Sequence, residues 1–353
     1  MLSPMEKPFG AFDPDGPAVL DGIYGLPHTP EEAAVVLIPV PWEATVSSRA
    51  GAADGPRAIL EASRQVDLFD RETGRPYEDG IALLPIPEEV RAWSDAGRAL
   101  VRAEGSGAAA PQDETQDMTE RTRRVDALGE RVNEHVRALA SGWLDRGRLV
   151  GVLGGDHSSP FGLIQELAQR RHGLGILQVD AHADLRRAYE GFRWSHASIF
   201  DNVLREIPGV ARLVQVGVRD LGASEDARIR GSAGRIVTFF DPDLQRRLCD
   251  GEPWARIARG IVESLPPEVY ISFDIDGLDP SLCPNTGTPV PGGLSWSEAV
   301  ALLRELAASG RRIVGFDLCE TAPGPDGNSG WDGTVAARLL YKMIGFARFG
   351  SVT

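Results

Sequence analysis

Three metal-capable side chains alternate in Asp180-Ala181-His182-Ala183-Asp184. In an extended chain, residues at i, i+2 and i+4 share a face, so Asp180, His182 and Asp184 would project together. Asp274 and Asp276 repeat the two-residue spacing in Ser272-Phe273-Asp274-Ile275-Asp276-Gly277-Leu278-Asp279-Pro280. A third cluster, Gly154-Gly155-Asp156-His157-Ser158, adds another imidazole. Each residue alone is ordinary, since an Asp after a strand usually caps a helix. Together they offer two imidazoles (His157, His182) and four carboxylates (Asp180, Asp184, Asp274, Asp276). That is too many ligands for one zinc ion, which takes four and favours N and S donors. A carboxylate-rich set with two His suits a pair of harder ions such as Mn²⁺. Two ions about 3.5–4 Å apart can share a water and turn it into hydroxide near neutral pH.

These clusters need elements to position them, and the chain supplies them. From Leu149 onward, short apolar runs predict strands at Leu149–Leu153, Leu174–Val179, Leu213–Val218, Arg235–Phe239, Val269–Phe273 and Ile313–Asp317. Helical stretches such as Phe161–Arg171 and Ser297–Ala308 separate most of them. Strand-helix alternation predicts an α/β fold with a parallel sheet covered on both faces. Four strands then end in chemistry, the last in Asp317-Leu318-Cys319-Glu320. Carboxyl ends of parallel strands form one rim, so residues distant in sequence converge there.

Upstream, residues 1–33 are rich in Pro, Gly and Asp and read as an irregular arm. Val35 to Val40 predicts a first strand, and Pro56 suits the first turn of a helix over about Arg57 to Val66. Residues 34–353 read as one catalytic domain, interrupted at about 86–148 by an excursion from the α/β rhythm. Within it, 104–117 is polar and low in complexity. Val125, Leu128, Val132, Val136, Leu139 and Trp143 then recur at helical spacing and predict an amphipathic helix. It would pack on the domain or on a neighbouring subunit.

The chain has 353 residues and a net charge of −14, which argues against nucleic acid or an anionic membrane as partner. The charge is compatible with a cationic substrate. No run reaches the roughly 18 apolar residues of a membrane helix, and the start lacks a secretory signal. Cys249, Cys283 and Cys319 are scattered and suggest neither a disulfide framework nor a zinc ribbon. A reducing cytoplasm is the expected location.

The motifs GGDHS, DAHAD and SFDIDGLDP, in that order, resemble the three signatures of the ureohydrolase (arginase/agmatinase) family. The resemblance implies the arginase/deacetylase-type three-layer α/β/α sandwich, two Mn²⁺ per subunit and a homo-oligomer, trimer or hexamer. It implies one ion held by His157, Asp180, Asp184 and Asp274. The other would be held by His182, Asp180, Asp274 and Asp276, with Asp180 and Asp274 bridging and Asp184 and Asp276 also serving catalysis. Such enzymes cleave a guanidino group to urea and an amine. Glu320 matches the family's guanidinium-binding Glu, and His196, in Trp194-Ser195-His196, matches its proton-shuttling His. His28, His135 and His172 match nothing and read as structural.

The stretch Asp184-Leu185-Arg186-Arg187-Ala188-Tyr189-Glu190-Gly191 resembles that of agmatinases rather than the Asn- and Ser-rich arginase loop. The second acid that arginases place after an Arg-Asp pair is also missing from Arg219-Asp220-Leu221-Gly222. Agmatine is therefore the expected substrate, cleaved to putrescine and urea. Cys283-Pro284-Asn285 and the 86–148 stretch depart from a typical agmatinase, and the Trp42-to-Thr45 segment could reshape the pocket mouth. Guanidine, guanidinobutyrate and arginine stay open as substrates, with Ni²⁺ in place of Mn²⁺. A formimidoylglutamase, a single-zinc deacetylase and a non-enzymatic partner-binding protein are the remaining alternatives.

Overall fold

The computed structural model describes residues 12–18, 21–102, 114–324 and 330–349. Eight strands follow in chain order: β1 (Val35–Val40), β2 (Ile81–Leu83), β3 (Leu149–Gly154), β4 (Leu174–Val179), β5 (Val210–Val216), β6 (Ile236–Phe239), β7 (Glu268–Asp274) and β8 (Arg312–Cys319). They form one sheet, ordered β2-β1-β3-β8-β7-β4-β5-β6. Every pairing is parallel.

Parallel neighbours require crossover connections, and these bury both sheet faces. Alternation along each strand feeds two separate cores. In β4, Leu177 and Val179 join one core, while Leu174 and Ile176 join the other. In β7, Ile271 and Phe273 face the first core and Tyr270 the second. Helices Gly55–Ser63, Trp254–Glu263, Trp296–Ala308 and Gly330–Phe349 cover the first face. Helices Glu88–Arg102, Glu114–Asp145, Phe161–Arg170 and Ile199–Glu206 cover the second. The result is the parallel sheet covered on both faces expected from the strand-helix rhythm, and with it the three-layer α/β/α sandwich that the resemblance implies.

Two stretches sit differently from their sequence reading. The three-residue strand β2 has no sequence counterpart above, and it makes 86–148 the crossover from β2 to β3. Its helices belong to the second layer, where Val90, Val125, Val132, Val136 and Ala140 are buried. Residues 104–113 of the polar stretch lie outside the described residues, as do 1–11 and 19–20 of the arm. The end of the arm is core: Ile23, Tyr24 and Leu26 are buried, and the Tyr24 hydroxyl donates to the Ala337 carbonyl at 2.9 Å. Among the described residues no helix is long and apolar enough to cross a membrane.

The order β3-β8-β7-β4 places four strands side by side in the sheet's centre. From β4 the chain moves outward to β5 and β6, whereas from β7 it moves the opposite way to β8. Divergent connections from neighbouring strands open a crevice at their carboxyl ends. The loops there are laced together. Gly155 N–H donates to the Val40 carbonyl at 2.8 Å, Asp156 N–H to the Trp42 carbonyl at 2.7 Å, and Glu320 N–H to the Gly155 carbonyl at 2.8 Å. A Cβ on Gly155 would lie 1.8 Å from the Trp42 oxygen, so only glycine fits. Gly155→Ala is expected to destabilise the protein by ~2 kcal/mol through overpacking, read as an earlier midpoint in urea unfolding.

Candidate metal centre

The six residues singled out by spacing converge at this crevice. His157 follows β3, Asp180, His182 and Asp184 follow β4, and Asp274 ends β7 with Asp276 just beyond. His157 Nδ1 lies 3.0 Å from Asp180 Oδ2, 3.1 Å from Asp184 Oδ2 and 3.3 Å from Asp274 Oδ2. His182 Nδ1 lies 3.1 Å from Asp276 Oδ2 and 3.6 Å from Asp180 Oδ1. Five of the six fall into two groups, His157/Asp180/Asp274 and His182/Asp180/Asp276, which share Asp180, and Asp184 adjoins the first through His157. The two oxygens of Asp180 face different imidazoles, as a bridging carboxylate requires. Asp274 joins only the first group here, and its Oδ1 accepts the Asp276 N–H at 2.9 Å.

Backbone turns hold these carboxylates in place. Asp180 Oδ1 accepts the His182 N–H at 2.7 Å, and Asp276 Oδ1 accepts the Ala181 N–H at 3.1 Å. Asp184 has a left-handed φ of 53°, which turns the chain toward the cavity. Behind His157, Nε2 meets Ser272 Oγ at 2.9 Å, and that hydroxyl donates to Asp317 Oδ2 at 2.7 Å. The imidazole is thus anchored through one nitrogen. The other, Nδ1, is buried with no hydrogen-bond partner although carboxylates surround it.

The electrostatics favour a cation. Burial opposes charge on Asp184 and, with Asp180 beside it, pushes its carboxyl up to about 7. Burial, then Asp276 and Asp180, hold Asp274 well above the usual carboxylate range. Burial opposes charge on His157, yet Asp180, Asp184 and Asp274 draw its imidazole well above its ordinary value. Burial likewise opposes charge on His182, and Asp276 and Asp180 overcome it, raising that ring to about 12. Desolvated carboxylates at this density hold protons they would lose in water. Cations at the two groups would relieve that repulsion and occupy the orphaned Nδ1, so the donor set fits two metal ions.

A cavity of about 440 Å³ opens above the cluster, lined by His182, Asp184, Arg186, Tyr189, His196 and Asp220 among others. Of the DLRRAYEG stretch, Arg186 stacks over Tyr189 at 5.1 Å, and Tyr189 meets His196 edge-on at 5.8 Å. Burial, then the neighbouring His182 and His157, push the His196 imidazole down to about 4. Glu320 follows β8 and is buried, its Oε1 accepting the His157 N–H at 2.9 Å. It is absent from the lining, but Gly287 is present there, and a Cβ on Gly287 would lie 3.6 Å from Glu320 Oε2. Trp42 and Thr45 are buried away from the mouth, and Ser47, Ser48 and Arg49 line it instead. Asp279 turns the chain by accepting the Ser281 N–H at 2.8 Å. Asp156 accepts both the backbone N–H and the hydroxyl of Ser158.

Two supports have no sequence signature above. Arg219 donates to the carbonyls of Gly217, Asp276, Leu278 and Val290, bracing the loop after β7. Asp126, on helix Glu114–Asp145, accepts the Arg193 N–H at 2.9 Å and the Trp194 N–H at 3.3 Å. The same helix has Gly129 against Trp194, where a Cβ would lie 2.7 Å from the Trp194 Cβ. This helix therefore fixes the loop that carries His196. Asp126→Ala is expected to lower kcat while leaving metal content unchanged, and Asp126→Asn, which keeps an acceptor oxygen, to restore most of it. Asp180→Ala is expected to empty both metal groups and Asp276→Ala one, read by metal analysis after equilibration with Mn²⁺.

Comparisons with known proteins agree with this geometry. A family model described as the arginase family matches residues 33–345. N(1)-aminopropylagmatine ureohydrolase of Thermus thermophilus is 36% identical over 92% of this chain and 94% of its own. Guanidinobutyrase of Pseudomonas aeruginosa is 28% identical over 90% of this chain and 89% of its own. The crystal structure of agmatine ureohydrolase of Thermoplasma volcanium aligns with a TM-score of 0.69 at 25% identity, over 94% of this chain and 95% of that one. With the family matched across nearly the whole chain and the signature residues gathered at one sheet rim, this protein belongs to the arginase family and is a hydrolase of guanidino compounds.

Proposed function

We propose that this protein hydrolyses agmatine, or agmatine extended at nitrogen, to urea and the corresponding amine, using two Mn²⁺ ions. The observation that carries the reading is the pair of His/Asp groups sharing Asp180 beneath a cavity lined by His196 and Asp220. A cationic tail is supported by the charges at the mouth. Arg186 lies 3.6 Å from Glu225, and Arg49 donates to the Pro284 carbonyl at 2.9 Å. Asp220 has no ion-pair partner among the described residues and is exposed to an incoming cation. The relative from Thermus thermophilus, named for a guanidino compound with such a tail, points the same way.

His157, Asp180, Asp184 and Asp274 would hold one ion, and His182, Asp180, Asp274 and Asp276 the other. When bound, the ions supply a Lewis acid that activates water toward the guanidinium carbon. Glu320 would orient the guanidinium by charge-assisted hydrogen bonds, with Oε2 on the side of Gly287. Burial and Asp156 raise its carboxyl above the usual range, and a cation beside it would favour the charged form. His196, with its pKa pushed down to about 4, is neutral near pH 7. It can accept the proton that water gives up and pass it to the departing nitrogen. The water oxygen joins the guanidinium carbon, the C–N bond to the tail breaks, and the tail leaves as an amine.

The test is urea release from agmatine, N1-aminopropylagmatine, guanidinobutyrate, arginine and guanidine, with Mn²⁺ and with Ni²⁺ loaded. The highest kcat/KM is expected for agmatine or its aminopropyl derivative with Mn²⁺. No urea from any of the five would overturn the reading, and preference for guanidinobutyrate would replace the cationic tail with an anionic one. His196→Asn is expected to lower kcat roughly 100-fold with little change in KM, as loss of a proton-transfer group does.

A further inference from the structure

Strands β6, β5, β4, β7 and β8 are neighbours, and one register row across them is polar. Thr238 pairs with Gln215, Gln215 with Gln178, Gln178 with Ser272, and Ser272 with Asp317. In β4 and β5, apolar residues surround these positions, as in Leu174-Gly175-Ile176-Leu177-Gln178-Val179. Gln178, Gln215, Ser272 and Asp317 are all fully buried. A buried primary amide is costly unless its hydrogen bonds are satisfied. The Ser272–Asp317 end of the row anchors His157. The other end runs toward Asp180.

The bonds along that end have a fixed direction. Thr238 Oγ1 donates to Gln215 Oε1 at 2.8 Å. Gln215 Nε2 donates to Gln178 Oε1 at 2.7 Å and to the Ala183 carbonyl at 2.8 Å. Gln178 Nε2 donates to Asp180 Oδ2 at 2.8 Å and to the His182 carbonyl at 3.3 Å. Carbonyl and carboxylate oxygens only accept, so both amides are held in one orientation with their nitrogens toward the metal cluster. Each amide has two N–H groups, and each finds two acceptors. Besides the Gln178 amide oxygen, the acceptors are the Asp180 carboxylate and the carbonyls of His182 and Ala183, which lie in the DAHAD turn itself.

We propose that Thr238, Gln215 and Gln178 form a polarised hydrogen-bond relay that positions Asp180 and the 180–184 turn for metal binding. The inference rests on the two-ion reading of the site. The three are positioning residues, because none is a ligand and each acts through the next. Gln178 Nε2 fixes the rotation of the Asp180 carboxylate, so that one oxygen faces each imidazole. Gln215, itself held in one orientation by the Ala183 carbonyl, prevents Gln178 from flipping, and Thr238 supplies the donor that satisfies Gln215 Oε1. Partners of this kind commonly change metal affinity by about 10–100-fold when removed.

The test is Mn²⁺ binding to the full-length, chelator-treated protein by calorimetry, with thermal unfolding recorded with and without Mn²⁺. Gln178→Met keeps the length of the side chain and removes its donors. It is expected to weaken Mn²⁺ binding about 10–100-fold and to shrink the rise in Tm on adding Mn²⁺. Thr238→Val is nearly isosteric, lies two strands away and is expected to weaken binding in the same direction by less. It carries the test should Gln178→Met fail to fold. If both variants bind two Mn²⁺ with the affinity of the unaltered protein, or lose only metal-free stability, the relay does not position the site and the inference falls. If the unaltered protein binds no Mn²⁺, the two-ion reading falls first and takes the relay with it.

Discussion

Four carboxylates crowded around two imidazoles and held out of water repel, and the architecture around them is organised to withstand that repulsion. Asp180, Asp276 and His157 are each fixed by a group outside the donor set. Asp276 accepts the Ala181 N–H across the β4–β7 boundary, Asp180 accepts the Gln178 amide and, within its own turn, the His182 N–H, His157 is anchored through Ser272 and Asp317, and the β7 loop is braced by Arg219. Without such supports the acids would swing apart into solvent, and a site matched to two cations would not exist. The buried Nδ1 of His157, ringed by Asp180, Asp184 and Asp274, is the point toward which that arrangement would draw positive charge.

The sheet topology makes this crowding possible. Four central strands bring their carboxyl ends together from segments that are far apart in the chain. Reversal of direction between β4 and β7 opens the crevice above them. The helices are more than a covering. The long helix Glu114–Asp145 reaches the loop carrying His196 through Asp126 and Gly129. A segment that looked peripheral thus supports the wall of the pocket, and the His/Asp cluster and the cavity above it share one frame.

Much of this was legible in the chain. The apolar runs located seven of the eight strands to within a few residues, because strands buried on both faces leave near-continuous apolar stretches. β2, three residues long, left too short a signal. Its omission made 86–148 resemble an interruption when those helices in fact complete the second layer. The candidate ligands stood out because their carboxylates share a two-residue spacing after an apolar run. Gln178, Gln215, Asp126 and Arg219 did not, since one polar residue in a strand, or one more acid on a long helix, has no pattern to mark it.

The sequence by itself determined which donors are present, that they alternate at strand ends, and that they outnumber what a single zinc ion would take. Those properties are local, set by residue type and by the two-residue period of an extended chain. Only the tertiary structure decided that Asp180 turns one oxygen to His157 and the other to His182, while Asp274 meets only the first. Only it placed Glu320 behind Gly287 and His196 in the open cavity. Those choices depend on strand order, on register and on contacts between residues dozens of positions apart. The energies that fix them come from packing and hydrogen bonds that exist only once the sheet has closed around the site.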